Sequence, residues 1–511
     1  MWLSVAGVYA FIVGCQYINF DESVSLIDFS CNVVKCRKLI QSVWLQKCKI
    51  DGRQKGTMND LIRQPLTTVA ELIRLRKVSP VEVAEANLKQ ISKLNPVLNA
   101  IVTLAPDVMK CARDAERAVM SGETLGALHG IPLTIKDTIE TAGLRTTSGS
   151  LIRKDYVPKT DAPAVSRLKA AGAIILGKTN VAEMAMDYTS DNPVFRRTNH
   201  PQNPKLTPGG SSGGEAVAIA THMSPGGLGN DSAGSIRIPA HFCGIAGLKP
   251  TTGRVPTEGQ FPPSIGSWGV IGPMARRVRD LRTLLSVLSD ASFARQELRG
   301  SRVAWYTDDG VAPVTDETAR AVATAAKVLD DAGLITEERR PPYVDRGHEI
   351  FSRLFSRPSV VVLRKVYAGR ERDAGLVVGE RMAHADDKPS PTLDEYIATW
   401  MERDRLREEL VEWMRMTPLL IAPVGATPAY AHGTVKVTVR GHTMEKFQAF
   451  SYAQTFNIFD LPAVTIPVGR SNEGLPIGVQ IVGRPFAEEM ILAAAELVEE
   501  SLSNSSRIYR N

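Results

Sequence analysis

Ala162-Pro-Ala-Val-Ser-Arg-Leu-Lys-Ala-Ala171-Gly172-Ala-Ile-Ile-Leu176 passes from a helical pattern to an apolar run within a few residues. Residues 162–171 read as a helix stopped by Gly172, and residues 173–176 as a buried strand. Helix followed at once by strand is the alternation of an α/β protein. Just upstream, His129-Gly-Ile-Pro-Leu-Thr-Ile-Lys136-Asp137 is a short apolar run, read as a second buried strand with Lys136 at its end. Further back, Ser79-Pro-Val-Glu82 is a capping box with proline at the first helical position. Val81, Ala84, Leu88 and Ile91 then share one helical face, which Asn95-Pro96 is expected to end. Thr68-Val-Ala-Glu71 reads as the capping box of a shorter helix before it.

Downstream, Gly209-Gly-Ser-Ser-Gly-Gly214 is a glycine-rich loop leading into a helix over about 215–222. A second glycine-rich stretch, 226–234, leads to Ser235 and another short helix. Residues 290–415 are more charged and mostly helical in pattern, ending in a run over 392–416. Residues 419–424, 463–468 and 476–482 read as late strands, and 487–502 as the final helix. The pattern predicts one α/β domain over 58–511, with a helical insertion at about 290–415.

Bulk properties fit that reading. The chain has 511 residues, 43% hydrophobic and 23% charged, which is ordinary globular composition. Its net charge of +6 bears on solubility, and no basic block is interleaved with aromatics, so nucleic-acid binding is not indicated. Of six cysteines, Cys15, Cys31, Cys36 and Cys48 fall early; none forms a C-x-x-C pair, and no metal or cofactor is implied. Cys111 and Cys243, left in the main body, read as reduced and the protein as cytoplasmic. The apolar run 2–14 is too short to span a bilayer and lacks the basic start of a signal peptide. Residues 1–57 are therefore expected to be a non-catalytic extension, or to lie upstream of a true start at Met58.

The chemistry concentrates between 126 and 256. The loop 209–214 needs its glycines for tight turns and presents hydroxyls on exposed backbone. It lacks the lysine of a phosphate-binding loop. Gly210-x-Ser212-x-Gly214 formally matches a nucleophile elbow, but Pro201-Gln-Asn-Pro-Lys-Leu-Thr-Pro208 is not the strand an elbow requires. A serine site of another kind remains. Asp231-Ser-Ala-Gly-Ser235-Ile-Arg-Ile-Pro239 places a serine after small residues at a helix start, where the amides of Ser232, Ala233, Gly234 and Ser235 could form an oxyanion hole. Lys136, desolvated at the end of its strand, could stay neutral and act as a base.

Gly130-Ile-Pro-Leu-Thr-Ile-Lys136-Asp137, Gly177-Lys-Thr-Asn180, Pro208-Gly-Gly-Ser-Ser-Gly-Gly214, 231–239 and Phe242-Cys-Gly-Ile-Ala-Gly-Leu-Lys-Pro-Thr251 together resemble the amidase signature family. The resemblance runs over about 66–502, with Lys136 75 residues before Ser211 and Ser211 24 before Ser235. It implies a single large domain whose central mixed sheet is covered by helices on both faces. It further implies Ser235 as acylated nucleophile, Ser211 as bridging serine in a cis peptide, and Lys136 as general base. Ser212, Asp231 and Arg237 are expected to support that triad. The activity implied is hydrolysis of a small-molecule carboxamide through an acyl-enzyme, by a chain with no stable membrane span that could form a homodimer. The alternative is the A subunit of a glutamyl-tRNA amidotransferase, with the same catalytic residues but acting only within a complex. Asn230, Ser232 and Ala233 depart from the Thr, Thr and Gly of many members, so the oxyanion loop tolerates Ala233 only if its φ is negative. His129, His200, His222 and His241 lie near the motifs but match no triad order and are assigned structural roles. Substrate contacts are expected from 184–195 and 290–430.

Overall fold

Alternation of apolar side chains along the late strands dictates how this chain layers. In the computed structural model, which describes residues 58–263, 269–384, 387 and 391–505, Leu419 and Ile421 enter one core while Leu420 and Ala422 enter another. Side chains of a strand alternate between faces, so a strand apolar on both sides must be covered on both. Val464 and Ile466 join the first core and Ala463 the second. Helices accordingly lie on both faces of a large mixed sheet.

The strands are β1 (Ile101–Leu104), β2 (Pro132–Lys136), β3 (Ile174–Thr179), β4 (Gly226–Asp231), β5 (Ala246–Lys249), β6 (Val270–Ala275), β7 (Arg302–Trp305), β8 (Ile335–Glu338), β9 (Leu419–Pro423), β10 (Lys436–Val439), β11 (His442–Glu445), β12 (Ala463–Arg470) and β13 (Pro476–Gly483). Among the described residues eleven of them form one sheet in the order β1-β3-β2-β4-β6-β5-β12-β13-β9-β7-β8, and β10 pairs with β11 apart. β2 runs parallel to both β3 and β4. Their carboxyl ends therefore meet at one edge of the sheet, the edge where α/β proteins place ligands.

Several local expectations are corrected. The 226–234 stretch is not a loop throughout: Gly226–Asp231 is the buried strand β4. A Cβ on Gly227 would lie 2.1 Å from Thr134 O and 2.2 Å from Glu215 Oε1, so the glycine is there for close approach and not for a turn. The region 290–415 is not purely helical, because β7 and β8 extend the main sheet. The Thr68 capping box does not form, since the helix already begins at Leu66. Asp280, more than 200 residues away, accepts hydrogen bonds from Leu66 N and Thr67 N at 3.1 and 3.0 Å and caps it from outside. The Ser79 box is present, but its helix Pro80–Leu98 continues through Pro96 and ends at Asn99, which adopts a left-handed φ of 51°. Asn95 Oδ1 receives the amides of Ala100 and Ile101 at 2.8 and 2.9 Å, so it fastens the exit instead of starting it. The extension at 1–57, with its four early cysteines, lies outside the described residues.

Candidate active site

Lys136 is the last residue of β2 and is wholly buried. Its Nζ lies 2.6 Å from Ser211 Oγ and 3.5 Å from the main-chain oxygen of Asn230. Desolvation holds this amine well below the ordinary lysine value, although the charges of Asp231 and Glu215 pull the other way. Burial thus favours the neutral amine over the ammonium ion. Glu215 stands in the first turn of the helix Gly213–Ala220, four residues after Ser211. It accepts from Thr134 Oγ1 at 2.5 Å and from Thr179 Oγ1 at 2.8 Å, tying the serine loop to β2 and β3. Burial pushes its carboxyl up to about 7 against those hydrogen bonds.

The Gly210–Ser211 peptide is cis. A Cβ at Gly210 would sit 2.2 Å from Thr189 O, so no side chain fits before Ser211. No strand precedes the loop, which disposes of the nucleophile-elbow alternative. Ser212 N donates to Ser235 O at 3.2 Å, and Ser212 Oγ to Asn230 O at 3.4 Å, joining the two serine-bearing segments.

Asp231 and Arg237 organise the second segment. Both side chains are fully buried and paired, Arg237 Nε and Nη2 each reaching the carboxylate at 3.1 Å. The same carboxylate accepts from Gly234 N at 2.7 Å and Ile236 N at 3.1 Å. Burial alone would raise Asp231, but the Arg237 charge and the hydrogen bonds from Arg237 and Asn457 hold it well below the carboxylate range. Ser235 precedes the helix Arg237–Cys243 by two residues. Gly234 carries the positive φ of the loop, 106°, whereas Ala233 is not among the positive-φ residues, so alanine is accommodated at 233. Gly234 N is taken by Asp231 Oδ1, which leaves Ser232, Ala233 and Ser235 as the loop residues whose amides make no bond to that carboxylate. These three residues line a cleft together with Ser211 and Asn230. Ser211 and Ser235 both line the cleft, and no hydrogen bond joins their side chains.

Sequence reasoning missed the polar residues that brace this loop from afar. Arg237 Nη1 donates to Gln480 Oε1 at 2.8 Å, and Asn457 Nδ2 donates to Asp231 Oδ1 at 2.9 Å. Tyr188 OH donates to Ala233 O at 2.7 Å and receives Gln454 Nε2 at 2.8 Å. Gln480 within an apolar strand was the one visible signal, since a polar side chain there needs a partner. The cleft walls include Met184, Tyr188, Phe355, Arg381 and Phe447. Phe447 and Gln260 fall outside the segments expected to touch substrate, and Met184, Phe355 and Arg381 fall inside them. The histidines sit apart from the serines: His129 and His200 bond the carbonyls of Ala115 and Phe242, and His241 bonds Thr427 O and Gly478 N. Burial lowers His222 to about 3 and His241 to about 4. Cys243 is buried, and burial raises its thiol. No helix among the described residues is long and apolar enough to cross a membrane.

Lys136 and the two serine-bearing segments thus come together at the carboxyl edge of the mixed sheet. Residues 82–492 match the family model described as Amidase, and the chain belongs to the amidase signature family. It is 30% identical to the A subunit of the glutamyl-tRNA(Gln) amidotransferase of Carboxydothermus hydrogenoformans, over 85% of this chain and 96% of that protein. A crystal structure of an amidase superposes with a TM-score of 0.79 at 29% identity, covering 86% of this chain and all of the other. A bacterial aryl acylamidase of the same family superposes at 0.78 with 26% identity, over 88% and 98%.

Proposed function

We propose that this protein hydrolyses a small-molecule carboxamide to a carboxylic acid and ammonia or an amine, through an acyl-enzyme on Ser235. The observation that carries the proposal is the buried 2.6 Å contact between Lys136 Nζ and Ser211 Oγ, opening on the cleft that Ser235 lines. Neutral Lys136 takes the proton of Ser211, and Ser211 takes that of Ser235 as its oxygen attacks the carbonyl carbon. The oxyanion that forms is met by main-chain amides of Ser232, Ala233 and Ser235, held by the Asp231–Arg237 pair and not needing to reorganise. The relay then returns the proton to the leaving nitrogen. Water attacks the resulting ester by the same route, releasing the acid and restoring Ser235.

The test is release of ammonia or amine from simple aliphatic and aromatic amides by the chain purified alone. Ser235→Ala should abolish both turnover and the acyl adduct seen by mass spectrometry, and turnover that survives would remove Ser235 from the role. A second reading is favoured by the relatives that are A subunits of glutamyl-tRNA(Gln) amidotransferases. On that reading the isolated chain is silent, and glutaminase activity appears only with partner subunits.

A further inference from the structure

Asn230 lies one residue before Asp231 in β4, and its main-chain oxygen is the one touched by Lys136 Nζ and Ser212 Oγ. The residue is only 8% exposed, yet its side chain lines the cleft beside Ser211 and Ser235. Its orientation is set by a chain of partners. Gln260 Nε2 donates to Thr257 O at 3.1 Å, which turns Gln260 Oε1 toward Asn230. That oxygen accepts Asn230 Nδ2 at 2.9 Å. Asn230 Oδ1 is thereby the atom left over, and it is buried with no hydrogen-bond partner. Flipping the amide would set two carbonyl oxygens against each other, so the arrangement is enforced.

A buried acceptor without a donor is costly and is kept where a ligand supplies the donor. The groups that could supply one here are constrained by the chemistry. The leaving nitrogen has to approach Ser211 and Lys136 to collect its proton, and Asn230 is the residue whose backbone touches that lysine and whose side chain shares the cleft. Resting on the amidase reading, we infer that Asn230 Oδ1 accepts the N–H of the scissile amide and makes this site selective for primary and secondary amides over esters. An ester places an oxygen lone pair at that position and leaves Oδ1 unsatisfied. A tertiary amide places an alkyl group there. During acylation the N–H stays on nitrogen while the relayed proton adds to its lone pair, so the contact persists from substrate to departing amine.

The experiment compares p-nitroacetanilide with p-nitrophenyl acetate, which share acyl group and chromophore and differ in the N–H. The readout is kcat/KM, which reports acylation. Asn230→Val, which removes the acceptor, should lower kcat/KM for the anilide about 5- to 100-fold, the range for leaving a buried polar group unpaired. The ester, which offers no N–H to that acceptor, should lose much less than the anilide, and circular dichroism with thermal unfolding checks that the variant is folded. Asn230→Thr keeps an oxygen able to accept and should recover part of the anilide rate. Equal losses on both substrates, or no loss on either, would overturn the inference. If the unmodified protein neither cleaves the anilide nor is acylated by the ester, the amidase reading falls and takes this one with it.

Discussion

Replacing Arg237 with methionine should test whether the Asp231–Arg237 pair is what holds the nucleophile loop. The substitution keeps volume but leaves a carboxylate that is fully buried without its countercharge. It also strips the donors that reach Gln480 and Asn457. Removing one partner of a buried pair costs about 3–5 kcal/mol. With an unfolding entropy on the order of 1 kcal/mol/K for ~450 residues, that is a fall in Tm of roughly 3–5 °C. The pH dependence gives the sharper signature. In the intact protein Asp231 lies below its unfolded value, so its stabilisation is fully present above about pH 4 and is lost as pH falls further. Without Arg237 the burial that raises Asp231 is unopposed by that charge, so the folded value moves above the unfolded one. The variant then gains relative stability as pH falls from 7.5 toward 4.5, and its deficit against the parent narrows. Urea unfolding at those two pH values measures this, with Asp231→Asn added to Arg237→Met expected to restore part of the loss. A deficit that stays constant with pH, or no deficit at all, would refute the electrostatic account of the loop.

Two further outcomes follow from the same site. The acid limb of kcat/KM, where Lys136 must lose its proton to act, should fall well below 10.5, with activity lost as pH drops through it; Lys136→Arg, permanently charged, should be inactive across the profile. Gly234→Ala should cost about 1–3 kcal/mol in thermal unfolding and most of the activity, because the new Cβ would meet Ala453 Cβ and Ile238 Cδ1 at 2.8 Å with φ at 106°. An active, equally stable Gly234→Ala protein would show that the loop relaxes freely.

Short-range signals were legible from the amino-acid order alone. The apolar runs ending at Lys136 and Leu176 and the Ser79 capping box each depend on contacts a few residues apart or on strand period, and each reappears in the structure. Tertiary structure decided what depends on partners distant in the chain. Asp280 starts a helix that Thr68 was expected to cap, because packing brings that carboxylate to the free amides of Leu66 and Thr67. The stretch from Gly226 reads as a loop until β2 and Glu215 close on Gly227, leaving no room there for a Cβ. The brace of the nucleophile loop joins Asp231 and Arg237 to Asn457 and Gln480, residues more than 200 positions away. A motif can place a serine and a lysine in order, but the desolvation that lowers that lysine and the acceptor left bare at Asn230 arise only when distant segments exclude water around them.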